Sequence, residues 1–374
     1  MADWRLAHLS HPTILIVRND GLGDFVVTLP LVASLKRQVP AARVFVLVSA
    51  AVAELVPLLP DIEGAIVDRG LLLKRHRKAF TAIEGRQGRR MGRHRLQADI
   101  ESHGFDLAIL PYAEAASAAL IHRAGIPLRA GSLRRHFFWR FNLFNRESRR
   151  ASPDPEWALN LGYLELLGLR REFAFPRFQL GPAVPAAPPR PYVVIHPHKR
   201  SGTALAWPGE NFLAMAREAM EDGDEVVVIG DPQDGPVLTR LFGVLPEARI
   251  LTGLSLPQLA RVIAGARYFL GNSSGPLHLA ALAGTPHVGL YPQNRVDAPA
   301  RWRTLPSEGS PAEFREYLLA PQFPKNCVKC ERERCPYFNC VASLTAEEVR
   351  GALRSWGNLP KRVGGNAPIR ASGG

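Results

Sequence analysis

The sequence predicts an α/β protein built from two doubly wound parallel-sheet domains, and three observations predict it. Short β-rich runs alternate with segments of helical periodicity along most of the chain, as strand–helix–strand units of a parallel sheet require. The alternation stops at a proline-rich stretch, "PRFQLGPAVPAAPPRP" (176–191), and restarts beyond it. The 374 residues, 46% hydrophobic and 22% charged, are enough for two cores of ordinary size.

In the first half, residues 13–17, 43–48 and 106–110 read as strands, and 25–38 and 114–124 as helices. Beyond the linker, strand "YVVIHP" leads to helix 209–221, strand "EVVVIG", helix 234–242, strand "ARIL", helix 256–264, strand "YFLG" and helix 274–283. A last helix is expected over 345–356, with Thr345 as its N-cap, and a disordered Gly/Pro-rich tail from 358. The expected division is a first domain over 1–175, the linker 176–191, a second domain over 192–344, a terminal helix 345–357 and a tail 358–374. Two Rossmann-like domains facing one another suit a ligand in a central cleft, beyond the carboxyl ends of the strands.

The net charge of +13 is concentrated. Residues 69–95 hold ten Lys/Arg against Glu84, and residues 129–150 hold seven Arg against Glu147. Such an excess points to an anionic partner (phosphorylated lipid, membrane surface or nucleic acid), or to a solvated helix face beside a loop. The N-terminus lacks the pattern of a signal peptide, and the apolar stretch 44–59 is broken by Glu54, Pro57 and Pro60. A cytoplasmic location is expected.

The four cysteines fall in one segment, Cys327-x2-Cys330-x4-Cys335-x4-Cys340. Clustering in a reducing compartment raises metal ligation. The spacing is not that of a zinc ribbon and no His lies within the segment, so packed thiols are preferred over a metal cluster.

The stretch "ILIVRNDGLGDFVVTLP" (14–30) carries a glycine turn between a strand and a helix, the usual setting of a phosphate cradle. Yet Val26 stands where a dinucleotide fingerprint needs its third glycine, and Asp24 sits where a pyrophosphate would approach. A dehydrogenase is disfavoured. The better anion site is "YFLGNSSGPLHLAALAGTPHVGLYPQ" (268–293), where Ser273, Ser274 and Gly275 open a helix that carries His278. Asp24 is then available as a base toward a substrate held from the other domain.

"RNDGLGDFVVTLP" resembles the Arg-x-Asp-x-x-Gly-Asp opening of glycosyltransferase family 9, the ADP-heptose:lipopolysaccharide heptosyltransferases. "GNSSGPLHLAALAGTPHVGLY" is similar to that family's Asn-Asp-Ser/Thr-Gly-x-x-His segment, and the cysteine cluster followed by "LTAEEV" to its C-terminal end. The resemblance runs from about residue 13 to 356. It implies a GT-B architecture, with an acceptor-binding first domain, a nucleotide-sugar-binding second domain and a final helix crossing back to the first.

By the same resemblance Asp24 is the catalytic base that deprotonates an acceptor hydroxyl in an inverting transfer, with Arg18, Asp20 and Gly23 on the acceptor side. The donor side comprises Ser273, Ser274, Gly275 and His278, with Gly230 and Asp231 toward the ribose and Leu254 against the base. Other readings stay open: Asp24 as N-cap of helix 25–38, Asp20 in an Asx turn, His278 as a core histidine, Gly230-Asp231 as a polar turn. Two positions depart from the family pattern. Ser273 replaces an Asp, and Leu205 replaces a phosphate-contacting Lys whose place Lys199, Arg200 or Ser201 could take, Lys199 first. No cofactor or metal is required, and Asp222-x-Asp224 reads as a solvated turn.

The implied partners are a nucleotide sugar, ADP-heptose first, and a lipopolysaccharide core or other anionic glycolipid. "RRHFFWRFNLFNR" (134–146) interleaves Arg with aromatics, half of them expected in the core, and suits peripheral attachment to an anionic membrane, on the inner face of the cytoplasmic membrane. RNA competes for the same charges, but no nucleic-acid motif supports it. A degenerate glycosyltransferase kept as a scaffold is the third reading.

Overall fold

The computed structural model describes residues 6, 9–72, 85–181, 188, 190–198, 206–310, 314–324, 327–328 and 330–357. Lys199, Ser201 and Leu205, most of the 182–189 stretch and the tail from 358 therefore lie outside the described residues. The chain divides into two units, 1–179 and 180–374, so the boundary falls inside the expected linker.

Each unit is a six-stranded parallel sheet. The first comprises β1 (Thr13–Val17), β2 (Arg43–Ser49), β3 (Gly64–Asp68), β4 (Leu107–Ile109), β5 (Leu128–Ser132) and β6 (Leu143–Asn145), in the order β3-β2-β1-β4-β5-β6. The second comprises β7 (Tyr192–His196), β8 (Glu225–Gly230), β9 (Arg249–Thr252), β10 (Phe269–Asn272), β11 (His287–Leu290) and β12 (Glu316–Leu319), in the order β12-β11-β10-β7-β8-β9. Both are the doubly wound order 3-2-1-4-5-6, whose switch points lie between β1 and β4 and between β7 and β10. Strands covered by helices on both faces lose polar alternation, which is why every residue of β1 and β7 is buried.

Each core joins its own sheet to its own helices. Leu15, Val17, Leu47 and Ala108 meet Leu96, Ile100 and Ile121 in the first unit. Val193, Val226 and Leu270 meet Phe212, Met215 and Phe242 in the second. Gly131 is required by packing, since a Cβ there would stand 2.5 Å from the Phe141 ring, and the bare backbone seats that aromatic.

Several expectations change. The helix read over 25–38 is two helices, Leu22–Val26 and Leu29–Gln38. The basic segment does form a helix, Gly85–Ser102, anchored by buried Leu96 and Ile100 one turn apart. Within 134–146, Phe137 and Phe141 are buried, while Phe138 and Trp139 are 43% and 61% exposed. Asp224 is not solvated. It is buried and ion-paired with Arg267 at 2.6 Å.

The terminal helix Ala346–Ser355 starts at Thr345 in a capping box with Glu348, as expected. Val349, Ala352 and Trp356 are buried, with Val349 and Trp356 in the second unit's own core, which draws the helix there. No helix among the described residues is long and apolar enough to cross a membrane.

Candidate active site

In the first unit the chain leaves β1 through Arg18, whose side chain is 2% exposed in spite of its charge. Such burial requires paired anions. Arg18 Nε donates to Asp20 Oδ1 at 3.0 Å and Nη2 donates to Asp24 Oδ1 at 2.7 Å, while Glu156 Oε1 lies 3.8 Å from Nη1. Burial alone would depress the guanidinium, but Asp20 and Asp24 outweigh it and hold it above its ordinary value. Arg149 pairs with the same oxygen of Glu156, and its Nη2 donates to Asn160 Oδ1 at 2.8 Å. Asn160 Nδ2 in turn donates to Val27 O at 2.9 Å, returning the network to the end of the short helix that carries Asp24.

Asp24 lies inside the first turn of helix Leu22–Val26, whose N-cap is Gly21. The capping reading is thereby corrected, because the helix begins before the aspartate and its oxygen is turned to Arg18. Its side chain is 25% exposed, against 9% for Asp20. Burial pushes the Asp20 carboxyl up to about 6, with Arg18 opposing and the charge of Asp24, and a hydrogen bond to it, adding. Gly23 is half-buried on the same helix and accepts from the amide of Val27 at 3.0 Å. Beyond β4, the Tyr112 ring lies under two guanidiniums, Arg135 at 4.8 Å and Arg18 at 5.8 Å. The carboxyl ends of the strands thus gather Asp24 with arginines from three separate loops.

In the second unit the switch point is bridged directly. His196, the last residue of β7, holds its Nδ1 3.1 Å from the hydroxyl of Ser274, which follows β10. Burial lowers the imidazole to about 4, with His198 adding and Asp234 opposing, so it stands neutral at pH 7. Ser274 is the N-cap of helix Gly275–Leu282. Pro276 has no amide hydrogen and Leu277 donates to Ser274 O at 3.2 Å, so the first turn presents the amide of Gly275. His278, one turn on, is buried with its ring edge-on to Trp302 at 6.1 Å.

The remaining donor-side residues occupy the neighbouring loops. Gly230 ends β8, where a Cβ would meet Leu238 Cδ1 at 2.7 Å, so this glycine has a packing role. The Asp231 amide donates to Asp234 Oδ2 at 2.8 Å, closing the polar turn. Leu254 is half-buried after β9, and the amide of Ser273 donates to Leu290 O at 2.8 Å. Asn272 adds what sequence reasoning missed. Its side chain donates to Pro197 O at 2.9 Å and accepts from the Trp207 amide at 3.0 Å, holding both described ends of the loop that contains Lys199. Glu156, Arg149 and Asn160 were missed as well, because nothing local in the sequence ties them to residue 24. His196 had a usable signal, a polar residue ending an all-apolar strand.

The cysteines come together. Cys327, Cys330, Cys335 and Cys340 are all half-buried thiols and all line one cavity of about 20 Å³.

A model of glycosyltransferase family 9 (heptosyltransferase) matches residues 93–308. Lipopolysaccharide heptosyltransferase 1 of Pseudomonas aeruginosa is 27% identical over 341 residues, covering 87% of each chain. Among solved structures, a family 9 glycosyl transferase from Veillonella parvula superposes with a TM-score of 0.75 at 18% identity, covering 93% of this chain and 97% of that one. The E. coli heptosyltransferase WaaC with ADP gives 0.71 at 18% identity, covering 92% and 99%. These likenesses establish the fold, the GT-B architecture with two Rossmann-like units. The chain is a glycosyltransferase, a member of family 9, the heptosyltransferases.

Proposed function

We propose that the chain transfers a heptose from ADP-heptose to a lipopolysaccharide core or related anionic glycolipid, by inversion and without a catalytic metal. The observation that carries this reading is the complementary equipment of the two units. The first offers a carboxylate, Asp24, oriented by a buried arginine. The second offers a helix start, a hydroxyl and a neutral imidazole at a switch point.

Glycosyl transfer with inversion needs a base at the attacking hydroxyl and a stabiliser for the departing diphosphate. Asp24 takes the hydroxyl proton as oxygen attacks the anomeric carbon. The Gly275 amide and the Ser274 hydroxyl receive the diphosphate, and the helix dipole favours its charge. Arg18 is a positioning residue: three carboxylates fix it, and it fixes one oxygen of Asp24. The acceptor's phosphates find Arg135 and Arg149 around the same loops. ADP is the first choice of nucleotide because the WaaC structure holds it. Ser273 in place of the family aspartate leaves the donor sugar to be measured.

The exposed Phe138 and Trp139, next to Arg134 and Arg135, suit attachment to the headgroup region of an anionic membrane on its cytoplasmic side. Liposome flotation at low salt checks this, and a protein that ignores anionic vesicles rejects it.

The activity is tested by incubating the protein with ADP-heptose and a heptose-deficient lipopolysaccharide, following ADP release and acceptor mass. Release of ADP with a heptose mass increment supports the reading. ADP binding without transfer to any such acceptor favours a degenerate scaffold, and absence of nucleotide binding removes the donor-site assignment.

A further inference from the structure

We propose that Cys327, Cys330, Cys335 and Cys340 form a tetrathiolate site for one thiophilic divalent cation, zinc or ferrous iron, that cross-links the second unit. The four residues span fourteen positions with no regular strand among them, yet all four edge the same cavity, joined there by Asn294, Tyr337 and Phe338. A cavity of about 20 Å³ exceeds the ~10–15 Å³ that one small guest needs. Four sulfurs around one such space are the donor set that selects tetrahedral zinc or iron over hard cations.

Three further observations point into this cavity. Asn294 is 1% exposed, its Nδ2 has no hydrogen-bond partner among the described residues, and it lines the same cavity as the four thiols, so a buried unsatisfied donor belongs to this lining. Metal-bound thiolates accept such bonds, which offsets an otherwise costly orphan. The Arg332 amide already donates to Cys330 Sγ at 3.4 Å, wrapping backbone around the sulfur. And the two non-glycine residues with positive φ among the described ones are Arg332 (55°) and Asn339 (53°), both inside this segment. A left-handed arginine is strained, and such strain persists where something else fixes the loop.

No three of the side chains are arranged for ligation among the described residues as they stand. Binding a cation therefore requires the four thiols to turn toward the cavity they already share. Four S–H protons go to solvent as four metal–sulfur bonds form, leaving a net charge of −2 flanked by Arg332 and Arg334.

The cation would tie three parts of the unit together. The Arg295 amide donates to Cys327 O at 2.7 Å, and Gln293 exchanges hydrogen bonds with Phe323 at 2.7 and 2.8 Å, so the segment grips the loop leaving β11. Cys330 and Cys340 pack on the core, and Leu344 O accepts from Trp207 Nε1 at 2.6 Å just before the last helix.

The test uses the full-length protein purified without chelator. Elemental analysis is expected to give about one zinc or iron per chain, and which element is found separates the two sources. A Cys327→Ser/Cys335→Ser variant is expected to lose at least about tenfold of that content, in keeping with loss of two ligands. Cobalt(II) added to the metal-stripped wild-type chain is expected to give the intense visible bands of tetrahedral thiolate coordination, a reading that does not depend on how the variant folds. Metal-free protein that stays colourless with cobalt overturns the proposal.

Discussion

The two sheets share one strand order, yet their switch points hold opposite chemistry. At the β1 end the side chains are charged: Arg18 is buried among Asp20, Asp24 and Glu156, and Arg149 shares Glu156 with it. At the β7 end the pair that bridges the switch point is neutral: an imidazole lowered by burial and a serine hydroxyl, beside a helix start. The difference teaches that the doubly wound fold supplies a place and the local residues supply the role. On the proposed roles, the site that holds a base keeps its carboxylate fixed by a permanent cation. On the same proposal, the site that receives a diphosphate leaves its positive potential to amides, so that the ligand brings the charge.

The largest way to break this contrast is Arg18→Met. It leaves three carboxylates without their shared partner, and breaking a buried ion pair costs about 3–5 kcal/mol. Denaturant unfolding should show a loss of that order. A change near zero would mean the carboxylates re-pair or flood with water.

pH comes next and sharpens the comparison, because the two sites respond with opposite sign. The folded pKa of Asp20 is raised from 3.8 to about 6, so its contribution is full below about 4 and is lost as pH rises through 6. His196 is lowered from 6.5 to about 4, so its contribution is full above 6.5 and is lost as pH falls toward 4. Asp20→Asn should therefore remove a loss of stability on going from pH 4 to 6, and His196→Gln should remove a gain over the same range. Identical pH profiles for the two variants would contradict the contrast.

Ser274→Ala is smaller. Losing one hydroxyl to a charged ligand should weaken ADP binding by about tenfold, ~1.4 kcal/mol by calorimetry. The same substitution should leave acceptor affinity unchanged. Thr345→Ala, away from both sites, should cost about 1 kcal/mol through the lost cap and leave both affinities alone.

Much of this was legible in the sequence where one signal dominates. β1, β7 and β8 each contain an unbroken apolar run of four residues because both faces of the sheet are covered, and the glycine turns after β1 and β10 mark where strands hand over to helices. Other elements give no such signal. β5 is "LRAGS" and β6 three residues long, and helix Gly85–Ser102 begins with glycines and arginines, showing its apolar spacing only at Leu96 and Ile100. The capping box of the terminal helix fixes where it starts and says nothing about which core receives Val349 and Trp356, a contact that only the folded second unit shows. In the site, Asp24 and Ser274 stood in local motifs. Glu156 and Asn160 lie more than 130 residues from Asp24, and only the folded chain brings them to the segment that carries it.

The most direct measurement is Asp24→Asn, assayed for heptosyl transfer and for ADP binding on the same preparation. Loss of a general base should lower turnover by about 10²–10⁴-fold, while ADP binds the second unit with its affinity unchanged. Transfer at the parent rate would contradict the role given to Asp24. Loss of ADP binding together with transfer would contradict the division of labour between the two units.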